Sequence, residues 1–301
     1  MDIRGVFIED TFAEAFTMRA ARIVVTARNL RWAREAALKC TGFATSVIAC
    51  KCEAAIEREL GPDETPDARP GVSVLLFAMD TDSLSKRLVE RIGQTVLTCP
   101  TTSCFDGLPG LPDRVPAGRA LRVFGDKFQI SKVVGGERYW RVPVMDGEFL
   151  LQESFGIEKQ AIGGGNFLIL AEDIGIALAS AEAAVAAING MPGVILPFPG
   201  GVARSGSKIG ARAYTSLIAS TNDAYCPTLR LTTDSALPEG VNAVLEIVLD
   251  GLDAGAISRA MRAGIDAACR PGVRVITAGN YGGNLGPHRF HLRPIMSGGA
   301  S

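Results

Sequence analysis

An excess of charge of either sign is what this sequence most plainly lacks, since 31 Lys and Arg stand against 32 Asp and Glu in 301 residues. Without a basic field to track a phosphate backbone or hold an anionic membrane surface, neither nucleic acid nor membrane is an expected partner. Aromatic residues are scarce at 6%, and the only histidines are His288 and His291. Both fall in one Pro-His-Arg-Phe-His run, which leaves little from which to build a His-centred triad or a zinc site. The seven cysteines are an odd number spread from Cys40 to Cys269. That fits a reducing cytoplasm better than a disulfide framework. Neither Cys50-Lys51-Cys52 nor the Cys99 and Cys104 pair has the second half of a zinc ribbon, so no metal is expected. Long hydrophobic runs are missing too. Carboxylates interrupt Met1 to Asp10, which is read as neither signal peptide nor anchor. The Ala-rich stretch Ile174 to Ile188 carries Glu182 and is too short to cross a hydrocarbon core of about 30 Å.

Small residues and regular apolar spacing are what the chain does have. Its length exceeds the common single-domain size of about 100 to 150 residues, so two lobes are expected. Residues 22–26, 72–77, 166–170, 242–249 and 274–277 predict strands, and residues 30–38, 83–92, 173–188 and 254–268 predict helices. Asp80, Asp82 or Ser83 would cap the second of these helices, and capping also accounts for the strand-end acidic residues Glu9-Asp10-Thr11 and Glu172-Asp173. Further strands are expected at residues 45–49, 95–98, 194–199 and 214–220, with hairpins at 120–124, 138–144 and 148–151. Each half then holds two β-α-β units, which predicts an α/β protein of two related ferredoxin-like split β-α-β sandwiches, residues 1–160 and 161–301. The boundary is expected near Gly156 to Gly165. Gly163-Gly164-Gly165 there reads either as a linker or as a close backbone approach to a ligand.

No nucleotide motif is complete. Gly200 to Lys208 lacks the P-loop order, although its amides, hydroxyls and two cations suit a polar or acidic ligand. Gly279 to Gly286 follows a strand but has neither Rossmann glycine spacing nor a following helix. Glu246 is the sharper anomaly, because Val244, Leu245, Ile247, Val248 and Leu249 surround it in an expected strand. Burial there would raise its pKa, and a protonated carboxyl can donate to a developing oxyanion or shuttle a proton in acyl transfer. An edge-strand glutamate facing solvent or a salt bridge explains the same pattern.

Seven segments, in order, resemble the formylmethanofuran:tetrahydromethanopterin formyltransferase family over nearly the whole chain. They are Ile8 to Phe16, Gln94 to Thr102, Gly163 to Phe167, Pro197 to Gly201, Ser205 to Lys208, Cys226 to Thr228 and Ile276 to Gly283. The resemblance implies two α/β lobes and a homo-oligomer with its cleft near a subunit interface. The implied reaction moves a formyl group reversibly between N5 of tetrahydromethanopterin and the primary amine of methanofuran or an analogue. Both carriers are substrates, and no tightly bound metal or nucleotide is implied. Glu246-Ile-Val-Leu-Asp-Gly251 matches the family segment that carries the glutamate, which makes Glu246 the expected catalytic residue. Asn166 would then bind an amide or pterin edge, and Phe167 would pack on a ring. Thr101, Thr102, Ser205, Ser207 and Lys208 would position polar groups, while Asn280, Tyr281, Gly282 and Gly283 would line the cleft. The chain looks like a bacterial-type member whose partners are the other components of a formyltransferase/hydrolase complex. A noncatalytic pterin-binding or scaffolding subunit is the alternative.

Overall fold

The computed structural model describes residues 1–298. In chain order the elements are β1 (Val6–Ile8), β2 (Phe12–Thr26), α1 (Leu30–Thr41), β3 (Glu53–Leu60), β4 (Gly71–Ala78), α2 (Thr81–Arg91) and β5 (Ser103–Asp106). There follow β6 (Ile130–Val134), β7 (Glu137–Val144), β8 (Gly147–Gln152), β9 (Glu158–Ala171), α3 (Ile174–Ile188), β10 (Ala243–Gly251), α4 (Ala254–Ala268), β11 (Val273–Thr277) and β12 (His288–His291). The four long helices all begin at an Asx cap. Asn29, Asp80, Asp173 and Asp253 each accept a backbone N–H from the first turn, satisfying a donor that the helix itself leaves unpaired.

Two compact units result, and they are not the contiguous halves 1–160 and 161–301. One comprises Thr17–Ala161 with Gly190–Ile195. The other combines Met1–Phe16 and Ile162–Asn189 with the described residues from Leu196 onward. In the first unit the strand order is β3-β4-β2-β5, with α1 between β2 and β3 and α2 between β4 and β5. This is the split β-α-β arrangement. Strands β8, β7 and β6 extend the sheet beyond β5, with β8 parallel to β5 and the rest antiparallel. Every residue of β4 is buried, as an internal strand covered on both faces requires.

Four elements differ from the pattern of the sequence. Residues 45–49 are not a strand, because Ser46 caps the helical turn Val47–Cys50 and Lys51 leaves it with left-handed backbone. The strand that follows is β3, whose charged residues Glu53, Glu57, Arg58 and Glu59 masked its period. Residues 95–98 continue α2 as a π-helical turn at Ile92–Val96. Residues 120–124 are helical rather than extended. Gly163 to Gly165 do not interrupt a strand either. They lie inside β9, where a bulge between Ile162 and Gly165 absorbs them, and Gly164 at φ +87° donates its N–H to Asp250 at 3.0 Å.

The second unit is built on a central three-strand run. Strand β9 runs between β10 and β11, antiparallel to both, and β11 pairs in parallel with β1. Helices α3 and α4 pack on one another. The buried face of α3 is small apart from Ile188 (Ala177, Ser180, Ala181 and Ala184), while that of α4 mixes the small Ala256, Ala260, Gly264 and Ala268 with Ile257, Met261 and Ile265. A Cβ added at Gly264 would stand 2.6 Å from Ile188 Cδ1 and 3.0 Å from Phe167 Cζ. Overpacking costs about 1–3 kcal/mol while helix propensity returns up to about 1 kcal/mol, so Gly264→Ala should lower stability by about 1–2 kcal/mol. A reduced urea midpoint with an unchanged m-value is the expected readout.

Candidate active site

Strand β10 reads Ala-Val-Leu-Glu-Ile-Val-Leu-Asp-Gly. Leu245, Ile247 and Leu249 turn into the core, while Val244, Glu246 and Val248 share the half-buried opposite face. The Glu246 main chain is held on both sides. It stands opposite Leu168 of β9, and it exchanges two hydrogen bonds with Ala203, at 2.8 and 2.9 Å. Its carboxylate has neither a hydrogen-bond partner nor a counter-ion among the described residues. Burial alone pushes the carboxyl up from 4.5 to about 7. Both protonation states are therefore populated at neutral pH.

A cavity of about 40 Å³ opens beside this carboxylate, lined among others by Arg204, Ser205, Gly206, Asn222, Tyr225 and Cys226. That space admits a water molecule or a one-carbon group, but not the body of a carrier. Arg204 is exposed and leaves Glu246 uncompensated. Beyond it, Ser207–Ile209 forms a short ladder with Ala219–Thr221. The Lys208 ammonium pairs with Asp223, which Arg212 also meets at 3.0 Å, so Lys208 is tied to Asp223 rather than to Glu246. Only the Ala219–Thr221 part of the strand expected at residues 214–220 is extended.

The glycine-rich segment after β11 completes this wall. The Tyr281 hydroxyl donates to the Ser207 carbonyl at 2.8 Å. Burial, then the negative charges of Glu246 and Glu14, raise the Tyr281 phenol above its ordinary pKa and keep it neutral. Gly282 and Gly283 turn the chain with φ of +70° and +77°. The Asn280 amide donates to Thr11 Oγ1 at 2.8 Å. Glu246, Ser205, Ser207, Lys208, Asn280, Tyr281, Gly282 and Gly283 are thus all in the one unit.

Asn166 and Phe167 belong to that unit too, but with other roles than expected. The Asn166 amide is spent on backbone: its Nδ2 donates to Gly164 O at 3.1 Å and Gly279 O at 3.3 Å, and its Oδ1 accepts from Gly279 N at 2.6 Å. It fixes the loop rather than a substrate edge. Phe167 is fully buried against α4 and cannot stack on a ligand ring. Thr101 and Thr102 belong to the other unit. There the Thr102 hydroxyl is buried and donates to Val96 O at 2.6 Å, and Thr101 holds left-handed backbone, φ +64°, with its hydroxyl accepting from Arg28 N. Among the described residues, no group of three His, Cys, Asp or Glu side chains is arranged to hold a metal ion, and no helix is long and apolar enough to cross a membrane.

Residues 1–144 match the family model of formylmethanofuran-tetrahydromethanopterin formyltransferase, and residues 147–295 match that of its proximal lobe. The chain belongs to this formyltransferase family. A formylmethanofuran–tetrahydromethanopterin formyltransferase from Methylococcus capsulatus is 60% identical, with 99% of this chain and 100% of that protein covered. A component of a formyltransferase/hydrolase complex from Methylorubrum extorquens is 50% identical over 98% of this chain and 97% of its own. Among solved structures, the Methanosarcina barkeri formyltransferase superposes with a TM-score of 0.94 at 47% identity, covering 98% of this chain and 100% of that one. A chain of the Methylorubrum extorquens formyltransferase/hydrolase complex, in complex with methylofuran, gives 0.95 at 49% identity, with 98% of each chain covered.

Within this formyltransferase fold, Asn222, Tyr225 and Glu14 are the residues that reading the sequence missed. Asn222 precedes and Tyr225 ends a short 3-10 turn, too brief for any period to mark a buried face. Glu14 did leave a signal, a carboxylate in the extended run Phe12-Ala-Glu-Ala-Phe16. The ionisation of Glu246 has a consequence for stability as well. Its carboxyl titrates near 4.5 when unfolded and near 7 when folded, so the folded state binds protons more tightly. Stability is full below the unfolded value and is lost as pH rises through about 7. Glu246→Gln should therefore melt higher than the parent at pH 8 and level with it at pH 4, as followed by thermal unfolding across pH.

Proposed function

We propose that this chain moves a formyl group between N5 of tetrahydromethanopterin and the primary amine of methanofuran or an analogue, with Glu246 as the acid beside the reacting carbon. One observation carries the reading: an unpaired carboxyl, held by its own main chain against a one-carbon-sized cavity, with a pKa raised to about 7. Family membership along the whole chain, including relatives named for this transfer, supports it.

The chemistry balances without a metal. The accepting nitrogen attacks the formyl carbon and forms a new C–N bond, while the carbonyl electrons move onto oxygen. A protonated Glu246 donates a hydrogen bond to that oxygen, where charge develops. The attacking nitrogen, now carrying an extra proton, releases it as the intermediate collapses. The C–N bond to the donating carrier then breaks, and its nitrogen takes the electron pair and a proton. One proton passes from nitrogen to nitrogen overall. A carboxyl that titrates near neutrality can both receive and return it.

The partners follow from the same reading. The Methylorubrum extorquens relative is named as part of a formyltransferase/hydrolase complex, and we assign this chain an equivalent place beside hydrolase subunits, together with self-association. The described cysteines are all free, in keeping with a cytoplasmic enzyme.

Purified chain supplied with formyl-tetrahydromethanopterin and methanofuran should transfer the formyl group, as followed by mass measurement of both carriers. Glu246→Gln should lower kcat by about 10²- to 10³-fold, the range for loss of one acid or oxyanion donor. Wild-type turnover should fall as pH rises through about 7 and Glu246 ionises. Carrier binding without transfer by the wild-type chain would instead identify a noncatalytic subunit, and unchanged turnover in Glu246→Gln would remove that residue from the chemistry.

A further inference from the structure

Formyl transfer as drawn makes no use of Glu14, a carboxylate on β2 with only 3% exposure. Its neighbours Ala13 and Ala15 are buried in the same strand, and its own side chain is aimed at the backbone of the glycine-rich loop. Oε1 accepts N–H donors from Leu285 at 2.8 Å and Gly286 at 3.5 Å. Oε2 accepts the N–H of Tyr281. Burial pushes the carboxyl upward, and the ring of backbone donors outweighs it, holding the group ionised below its ordinary pKa.

The start of the loop is fastened separately. Gly279 is bracketed by the Asn166 amide, and its carbonyl accepts the Glu14 main-chain N–H at 3.3 Å. At the far end the fit leaves no space, since a Cβ on Gly286 would lie 2.1 Å from the Ala15 carbonyl oxygen. Between these two fixed ends, Tyr281 projects its hydroxyl onto Ser207 at 2.8 Å. Ser207 continues the segment in which Ala203 pairs with the Glu246 main chain and Ser205 lines the small cavity. A continuous path of hydrogen bonds and intervening chain, through the Tyr281 side chain and residues 203–207, therefore runs from the Glu14 carboxylate to the strand residue that bears the Glu246 carboxyl.

We infer that Glu14 is a positioning residue for formyl transfer: its two carboxylate oxygens set the 279–286 loop so that Tyr281 pins the 203–207 wall against Glu246. The inference rests on the reading of Glu246 as the acid. Its chemical content lies in the number of acceptors. A carboxylate presents an acceptor oxygen to each set of donors, whereas a glutamine of the same shape presents one oxygen and one NH₂. Glu14→Gln must therefore release either Tyr281 or the Leu285 and Gly286 pair, because two N–H groups cannot face each other.

The test combines hydrogen exchange with steady-state kinetics on the full chain carrying Glu14→Gln, Gly286→Ala, Tyr281→Phe or Glu14→Gln with Tyr281→Phe. Expected is faster amide exchange confined to peptides covering residues 279–286 in Glu14→Gln and Gly286→Ala. Along with it, kcat should fall by about tenfold or more, with a much smaller change in either carrier's KM, the response to small misplacement of a reacting group. Tyr281→Phe should lower kcat while leaving exchange at residues 285 and 286 as in the parent. The double variant should be no slower than the slower single one, since both act through one path. Parental exchange in Glu14→Gln overturns the clamp, and faster exchange with parental kcat overturns its role in transfer. Should Glu246→Gln retain full turnover, only the acid assignment falls, because the exchange and kcat of Glu14→Gln still decide the part played by Glu14.

Discussion

A carboxyl that must stay without a partner is the constraint around which this molecule is arranged. Left in water, Glu246 would be an ordinary acid of pKa about 4.5 and ionised throughout the physiological range. A counter-ion would drive it lower still. The fold instead saturates its main chain, with Leu168 opposite on one side and Ala203 bonded on the other, so that the side chain is confined without being neutralised. The available cations are occupied elsewhere or face outward. Lys208 and Arg212 converge on Asp223, and Arg204, at the cavity rim, is exposed. The resulting rise to about 7 corresponds to a penalty on the order of 3 kcal/mol on the ionised form, before any discount for solvent reaching a half-buried group. The α3–α4 layer, in which alanine and glycine alternate with Ile188, Ile257, Met261 and Ile265, supplies the core against which that penalty is set.

The small cavity and the large substrates are complementary facts. A space of about 40 Å³ has room for the group being passed and little else, so the carriers must approach from outside and present only their reacting ends.

Much of this was legible in the sequence, and the parts that were not share a physical cause. Helices α2, α3 and α4 announced themselves through bounded helical stretches, α2 most clearly, where a cap candidate and an apolar face at Leu84, Leu88 and Ile92 coincide. Strands β4 and β10 were plain as unbroken apolar runs, and the glutamate inside the second was conspicuous for the same reason. Strand β3 was not, since its charged residues broke the alternation, and the π-helical turn at Ile92–Val96 carries a strand-like Thr-Val-Leu-Thr sequence next to it. The site residues divided along similar lines. Glu246 could be found because its side chain contradicts its surroundings. Asn166 and Phe167 sat in a recognisable motif, yet their tasks, bracketing Gly279 and filling the space beside Gly264, depend on what lies across from them in three dimensions. Glu14 depends entirely on such placement, because its partners are backbone amides, which every sequence possesses and none advertises.

The hydrogen bonds of Glu14 reach across 267 residues to Tyr281 and 271 to Leu285. The chain leaves this unit after Phe16, builds another unit and returns at Ile162. On a ribosome that emits its product from the N-terminus, Glu14 is exposed early and must wait for almost the whole polypeptide before its ligands exist. Closing so long a loop carries an entropic cost that local contacts cannot offset in advance. The contacts that fix the 279–286 loop therefore have to wait for the C-terminal part of the chain, whereas the strand and helix pairings inside Thr17–Ala161 join residues much nearer in sequence.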